Sequence, residues 1–261
     1  MRLFVFFVTI FGCFSFSNLQ ASIELQPHRA YYTVTMEGKP DPQSSVVDVQ
    51  GIMLLEFQNV SDGATIQQRS ETRLYYDDGS VEHIKWTYVT YEAADGSLFK
   101  FETSRKIDEE IQEHLRGVAK RKGSTLEVIY KDPEGKKVTL AKETLLPLQH
   151  LKALLTAAHG ESKIFPSLVF DGSSADGASE INTFLGAKKV MAGNPTCETA
   201  HQLANQPFFP VNFAVYGQER TAYEPLYITT QDLLPNGIIK QYVIDYGNLK
   251  IRGVLDRIEL L

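Results

Sequence analysis

Apolar and polar residues alternate along most of the chain. Tyr32, Val34 and Met36 are interleaved with Thr33, Thr35 and Glu37, and Phe99, Phe101 and Thr103 with Lys100, Glu102 and Ser104. The same happens at Leu126, Val128 and Tyr130 against Glu127, Ile129 and Lys131, and at Leu249 and Ile251 against Lys250 and Arg252. A period of two sends successive side chains to opposite faces, so these runs predict strands with one buried face. Near Gly253 the alternation slips by one, leaving Val254, Ile258 and Leu260 as the apolar set. A glycine in a slipping strand predicts a β-bulge there.

Turn signals separate the runs: Asp77-Asp78-Gly79, Ala94-Asp95-Gly96, Asp132-Pro133-Glu134-Gly135, Pro235-Asn236-Gly237 and Tyr246-Gly247-Asn248. Asn-Gly and Asp-Gly favour tight hairpins because both residues tolerate positive φ. Serial hairpins at this spacing predict about a dozen strands in a mainly antiparallel barrel, sandwich or coiled sheet. One stretch has a different period. After Leu146-Pro147, residues Leu151, Leu154, Leu155 and Ala158 form an i, i+3, i+4, i+7 stripe. Pro147 suits an early helical turn and Gly160 a stop, so one substantial helix is expected near 147–159, packed on the sheet. Lys188 to Gln206, with Gly193, Asn194 and Pro195, reads as a long loop carrying Cys197. No internal repeat or low-complexity tract is found.

The N-terminus does not belong to this pattern. Arg2 precedes an apolar stretch from Leu3 to Phe16, and Ser17-Asn18-Leu19-Gln20-Ala21 ends it in polar and small residues. This is the plan of a secretory signal peptide over residues 1–21, cut after Ala21. The stretch is short for a membrane anchor, which needs about 20 apolar residues. Ile10-Phe11-Gly12-Cys13 loosely resembles a lipobox, but Phe14 and Phe16 continue the apolar stretch beyond Cys13. The expectation is a soluble periplasmic protein without a transmembrane anchor, with one domain over 22–261. Export also settles the cysteine arithmetic. The chain has two cysteines, and Cys13 leaves with the signal. Cys197 is then alone, no intramolecular disulfide can form, and the thiol is expected either to be buried as a small hydrophobe or to pair with another molecule.

Composition is that of a globular chain: 43% hydrophobic and 22% charged. The net charge of −6 argues against nucleic acid, whose binders carry a basic excess or stripe. The longest basic run, Lys120-Arg121-Lys122, reads as a solvated strand end.

Catalytic chemistry is hard to find. The six histidines, His28, His83, His114, His150, His159 and His201, are scattered. None falls in a zinc-binding spacing. Gly172-Ser173-Ser174-Ala175-Asp176-Gly177 lacks both the Gly-x-Ser-x-Gly of a nucleophile elbow and the ordered ligands of a calcium loop, and reads as a turn. No catalytic, cofactor-binding or metal-ligating residue is assigned, and no cofactor is expected. The alternative is an envelope-acting hydrolase using His150 with Asp171 or Asp176, which requires these groups within hydrogen-bond reach. Trp86 and Tyr88 share one strand face, with Tyr91 on the other; core packing is the expected role, and a ligand-facing aromatic patch is the alternative.

Together the pieces resemble one family. After the signal come His28-Arg29-Ala30, Glu56-Phe57, Asp62-Gly63 and Gln68-Arg69. Leu146-Pro147 and His150 then open the helix, followed by Val169-Phe170-Asp171-Gly172-Ser173 and finally Asp245-Tyr246-Gly247. This pattern is similar to the envelope integrity protein B (EipB) family of alphaproteobacterial periplasmic proteins. The resemblance implies a strongly bent, spiral-like antiparallel sheet with one helix. It also implies a periplasmic role in cell envelope integrity, with no established enzymatic activity. The long antiparallel sheet, with 11% aromatic residues and no polar catalytic cluster, points to a non-enzymatic protein with an envelope protein or a lipid-like ligand as partner. The family pattern has a cysteine before Asp-Gly, paired with one near the C-terminus, and a tryptophan after it. This chain has Ser61 and Ala64 there and ends Glu259-Leu260-Leu261, so the resemblance implies a terminal strand without its staple.

Overall fold

The computed structural model describes residues 23–190, 203, 205–217 and 224–261. The signal segment, Cys13, Cys197 and His201 lie outside them. Among the described residues there are fourteen strands and one helix. The first eight strands are β1 (His28–Met36), β2 (Val46–Val60), β3 (Gly63–Tyr76), β4 (Val81–Ala93), β5 (Leu98–Ile107), β6 (Glu110–Lys122), β7 (Thr125–Asp132) and β8 (Lys137–Ala141). Helix α1 (Pro147–His159) follows, then β9 (Ile164–Val169), β10 (Ser179–Leu185), β11 (Phe209–Tyr216), β12 (Tyr227–Leu233), β13 (Ile239–Asp245) and β14 (Lys250–Leu260). The expected helix is present with its expected bounds, and the strands number slightly more than expected.

All fourteen strands form one sheet, in the order β8-β7-β6-β5-β4-β3-β2-β1-β14-β13-β12-β11-β10-β9. Every ladder is antiparallel and, apart from β1 with β14, joins strands consecutive in the chain. The chain therefore starts at the centre of the sheet and steps out to the β8 edge. It crosses through α1 to the β9 edge and steps back to the centre. The sheet is bent without closing into a barrel. Its two edges approach through the link after β8: Leu145 donates to Leu168 (2.8 Å) and Phe170 donates to Leu145 (2.9 Å). That short parallel bridge covers part of the β9 edge, which would otherwise present unpaired backbone groups.

The alternation assigns the inner face. Ala30, Tyr32 and Val34, then Phe99, Phe101 and Thr103, then Leu126, Val128 and Tyr130 are all buried. Helix α1 lies between the two halves of the sheet. Leu148, Leu154, Leu155 and Ala158 meet Phe57 of β2 and Ala64 of β3 on one side, and Leu185, Phe209, Val211 and Leu233 on the other. Leu151, placed on the stripe by its spacing, is only partly buried, and Leu148 takes its place. A second cluster joins Tyr32, Met53, Tyr242, Leu255 and Ile258 across β1, β2, β13 and β14. A third joins Phe99, Phe101, Leu126, Tyr130 and Phe170.

The slip in β14 is real but lies further on. Tyr31 pairs with Arg257 and Tyr32 with Leu255, so Asp256 is the bulged residue. The buried set is Gly253, Leu255 and Ile258, while Val254 (38%) and Leu260 (52%) are exposed. Gly253 serves another purpose. A Cβ there would stand 2.2 Å from the ring of Tyr242, so the absent side chain is the room that ring occupies.

Candidate functional site

The inner face around α1 brings together most of the residues singled out by the sequence. It begins with the helix N-terminus, whose first-turn N–H groups have no partner within the helix. Pro147 has no N–H to satisfy. Leu148 and Gln149 donate theirs to the two carboxylate oxygens of Glu92 on β4, at 2.7 and 3.1 Å. His150 N–H donates to the Leu146 carbonyl. Gln149 turns back, its Oε1 accepting from Leu146 N–H at 3.3 Å. This is half of a capping box. The other half, which a leucine at the N-cap cannot supply, comes from Glu92. The carboxylate is 4% exposed, and burial pushes its pKa up to about 7 despite the two backbone donors that pull it down.

Arg121 completes the anchor. Its guanidinium donates to the carbonyls of Gly96 (3.2 Å), Lys142 (2.8 Å) and Thr144 (2.7 Å) and to Gln149 Oε1 (2.9 Å). It thereby ties the β4–β5 turn, the link after β8 and the helix. The basic run is therefore not simply a solvated strand end: Lys120 and Lys122 are exposed, while Arg121 reaches across to the helix. Five N–H groups in a planar fork make arginine suited to holding several carbonyls at once.

The Phe170-Asp171-Gly172-Ser173 turn is the second anchor. Phe170 is fully buried and meets Phe99 and Phe101 edge-on, at 6.1 and 5.4 Å. Gly172 has φ +77°, and a Cβ on it would come within 2.4 Å of the Phe101 ring. Two phenols hold the turn: Tyr88 donates to the Asp171 carbonyl (2.8 Å) and Tyr130 to that of Ser174 (3.0 Å). Burial, and then the nearby Asp171 carboxylate, raise both phenol pKa values, that of Tyr130 to about 12, so both remain donors. Trp86 stacks on Tyr88 with ring centroids 5.5 Å apart, on the face the alternation assigns. Tyr91 faces outward under Lys100.

These contacts separate the residues of the hydrolase alternative. Asp171 Oδ1 accepts from the backbone and hydroxyl of its neighbour Ser173. Asp176 donates its backbone N–H to Ser174 Oγ. The His150 ring lies instead between Phe165 (5.8 Å) and Phe213 (6.2 Å), and its Nε2 is buried without a hydrogen-bond partner. Burial lowers its pKa to about 4, so it is neutral at pH 7. The fold thus brings His150 to no hydrogen bond with either carboxylate. Among the described residues no group of three His, Cys, Asp or Glu is placed to hold a metal ion. No described helix is long and apolar enough to cross a membrane.

Three important residues were not singled out from sequence: Glu92, Arg121 as an anchor, and Thr183, which lies opposite Phe165 and Phe213, the two rings that flank His150. Glu92 had a signal, since the alternation that puts Trp86 and Tyr88 inside carries on to Glu92, and an inward carboxylate needs a partner. The His28-Arg29-Ala30 motif also becomes intelligible. Ala30 is fully buried, and Arg29 pairs with Glu56 of β2 (2.5 Å) and Glu259 of β14 (3.1 Å). The arginine clasps the strands on either side of β1. On the outward face nearby, a groove of ≈ 450 Å³ over the Asp256 bulge is lined by Tyr31, Ile52, Leu54 and Arg257 among others.

Comparison with known proteins agrees with this architecture. A curated relative, the cell envelope integrity protein EipB of Brucella abortus (strain 2308), is 27% identical over 247 residues, which is 94% of this chain and 87% of the relative. A crystal structure from Brucella abortus, described as a beta-barrel-like protein of a domain of unknown function, DUF1849, superposes with a TM-score of 0.84 at 26% identity. That match covers 92% of this chain and 99% of the solved one. The family model described as EipB-like matches residues 19–261. The bent fourteen-stranded sheet, the helix docked inside it and the nearly full-length match agree: this chain belongs to the EipB-like family.

Proposed function

We propose that the chain is a non-enzymatic periplasmic protein that supports cell envelope integrity, its curved sheet receiving an apolar ligand or a partner protein. The observation that carries this reading is the inner face beside α1. Phe165, Ile181 and Phe213 point inward there yet remain half-buried. A concave, largely apolar wall with few polar groups is the usual form of a ligand site. The relative's name supplies the envelope context. Export follows from the N-terminal pattern of Arg2, the apolar stretch and Ala21.

Deleting the gene should sensitise cells to detergent, and a plasmid copy should restore resistance. Protein recovered from the periplasmic fraction should begin at Ser22. A deletion strain as resistant as its parent, or a protein confined to the cytoplasm with Met1 intact, would overturn the proposal. Native mass spectrometry of the periplasmic protein then separates the two versions: a retained lipid favours the ligand, and bound protein favours the partner.

A further inference from the structure

Helix α1 covers a patch of β9, β10 and β11 in which polar atoms are buried without partners. Thr183 sits fully buried on the inner face of β10, opposite Phe165 of β9 and Phe213 of β11. His150 packs against both of those rings, which places its imidazole over Thr183. Ser167 is the next inward residue of β9 after Phe165 and lies opposite Ile181. Among the described residues, His150 Nε2, Thr183 Oγ1 and Ser167 Oγ all lack a hydrogen-bond partner. Buried polar groups are overwhelmingly paired, so three orphans in one patch call for a partner from outside the chain. The three polar atoms are themselves closed off, but His150, Phe165, Ser167, Ile181 and Phe213 around them each keep some exposure, so a head group reaches the atoms once these side chains part.

We propose that this patch binds the uncharged head group of an amphiphile, a hydroxyl, ester or amide. The head bridges His150 and Thr183, with Ser167 within the same patch, and the apolar part lies along Phe165, Phe213 and Ile181. This rests on the apolar-ligand reading above and names the class of ligand. The chemistry selects a neutral head. A serine or threonine hydroxyl both donates and accepts, and a neutral imidazole Nε2 does either according to its tautomer. Burial keeps His150 neutral, and among the described residues no lysine or arginine is hydrogen-bonded or ion-paired to these three side chains to offset a buried anion. A carboxylate or ammonium head would lose its hydration for no compensating charge.

The test uses protein purified from its own periplasm, stripped of bound lipid. Calorimetric titration compares monododecanoylglycerol, dodecanoate and dodecyltrimethylammonium below their micellar concentrations. The glycerol ester should bind at least about tenfold more tightly than either charged probe. Thr183→Val and His150→Phe should each weaken it about tenfold, the scale of one lost hydrogen bond. Thr183→Val keeps the side-chain shape and removes an orphan, so it should melt no lower than wild type and serves as the folded control. If wild type binds the ester and both variants bind it equally well, the head-group site is overturned while the apolar-ligand reading stands. Equal binding of charged and neutral probes overturns the ligand class. Absence of binding by all three probes overturns both this proposal and the apolar-ligand version of the proposed function.

Discussion

Glu92 and His150 are buried near the same helix end and respond to pH in opposite senses. Glu92 has its pKa raised from 4.5 to about 7 by burial. Between those values the folded chain holds a proton that the unfolded chain has released, so stability falls as pH rises. His150 has its pKa lowered from 6.5 to about 4, again by burial. Between those values the unfolded chain holds the extra proton, so stability rises with pH. Each effect is on the order of 3 kcal/mol across its window. The windows overlap from pH 4.5 to 6.5, where the two slopes largely cancel. Relative to wild type, Glu92→Gln should therefore lose stability on acidification through this range, and His150→Phe should gain it. Urea midpoints measured from pH 4 to 7.5 check this; parallel curves for all three proteins would refute the cancellation. At Gly253 the argument is steric. Gly253→Ala should lower stability by about 1–3 kcal/mol, because the Tyr242 ring must move out of a packed cluster. A second substitution, Tyr242→Leu, should recover part of the loss in thermal melts.

The helix and the turn after β9 are legible in the sequence to different degrees. The bounds of α1 could be read from Pro147, the leucine spacing and Gly160, because a helix declares its period locally. Its anchoring could not, because Glu92 and Arg121 are remote in sequence and meet Gln149 only when β4, β6 and α1 are stacked. Arg121→Ala should cost about 2–3 kcal/mol, since it removes a charged donor from several carbonyls at once. Hydrogen exchange should then speed up first in residues 147–150. Gly172-Ser173-Ser174-Ala175-Asp176-Gly177 was recognisable as a turn, but not as one fastened by Tyr88 and Tyr130. The double variant Tyr88→Phe, Tyr130→Phe keeps both rings and removes only the two hydroxyl donors. It should loosen 171–176 to proteolysis while leaving the helix protected.

For the whole molecule, the decisive contact is between its ends. β1 pairs with β14 through Arg29 opposite Glu259 and Val34 opposite Gly253, placing the N- and C-terminal strands side by side at the centre of the sheet. Loop closure across nearly the whole chain is entropically costly, and such topologies fold slowly. Without β14 both β1 and β13 become unpaired edges in mid-sheet. A chain truncated before Lys250 should fail to fold and should aggregate, as judged by circular dichroism and size exclusion. The full chain should unfold in one transition, since the clusters around α1, Tyr242 and Phe101 share strands. This closure has no disulfide at Ser61. It rests on the β1–β14 ladder, the Arg29 clasp and the Leu261 N–H to Pro27 carbonyl bond of 3.0 Å.

The sequence by itself determined what is local. Two-residue alternation assigned the strands and their inner faces, Asp-Gly and Asn-Gly marked the turns, and the leucine spacing marked the helix, because each is dictated by backbone geometry over a few residues. Only the tertiary structure decided what depends on residues far apart. It moved the β14 bulge from Gly253 to Asp256, because register is set by the partner strand. It made Arg121 an anchor, because its carbonyl partners come from three elements. It turned His150 from Asp171 and Asp176 towards Phe165, Thr183 and Phe213, because which face of the sheet a helix meets is a property of the closed fold and not of the helix.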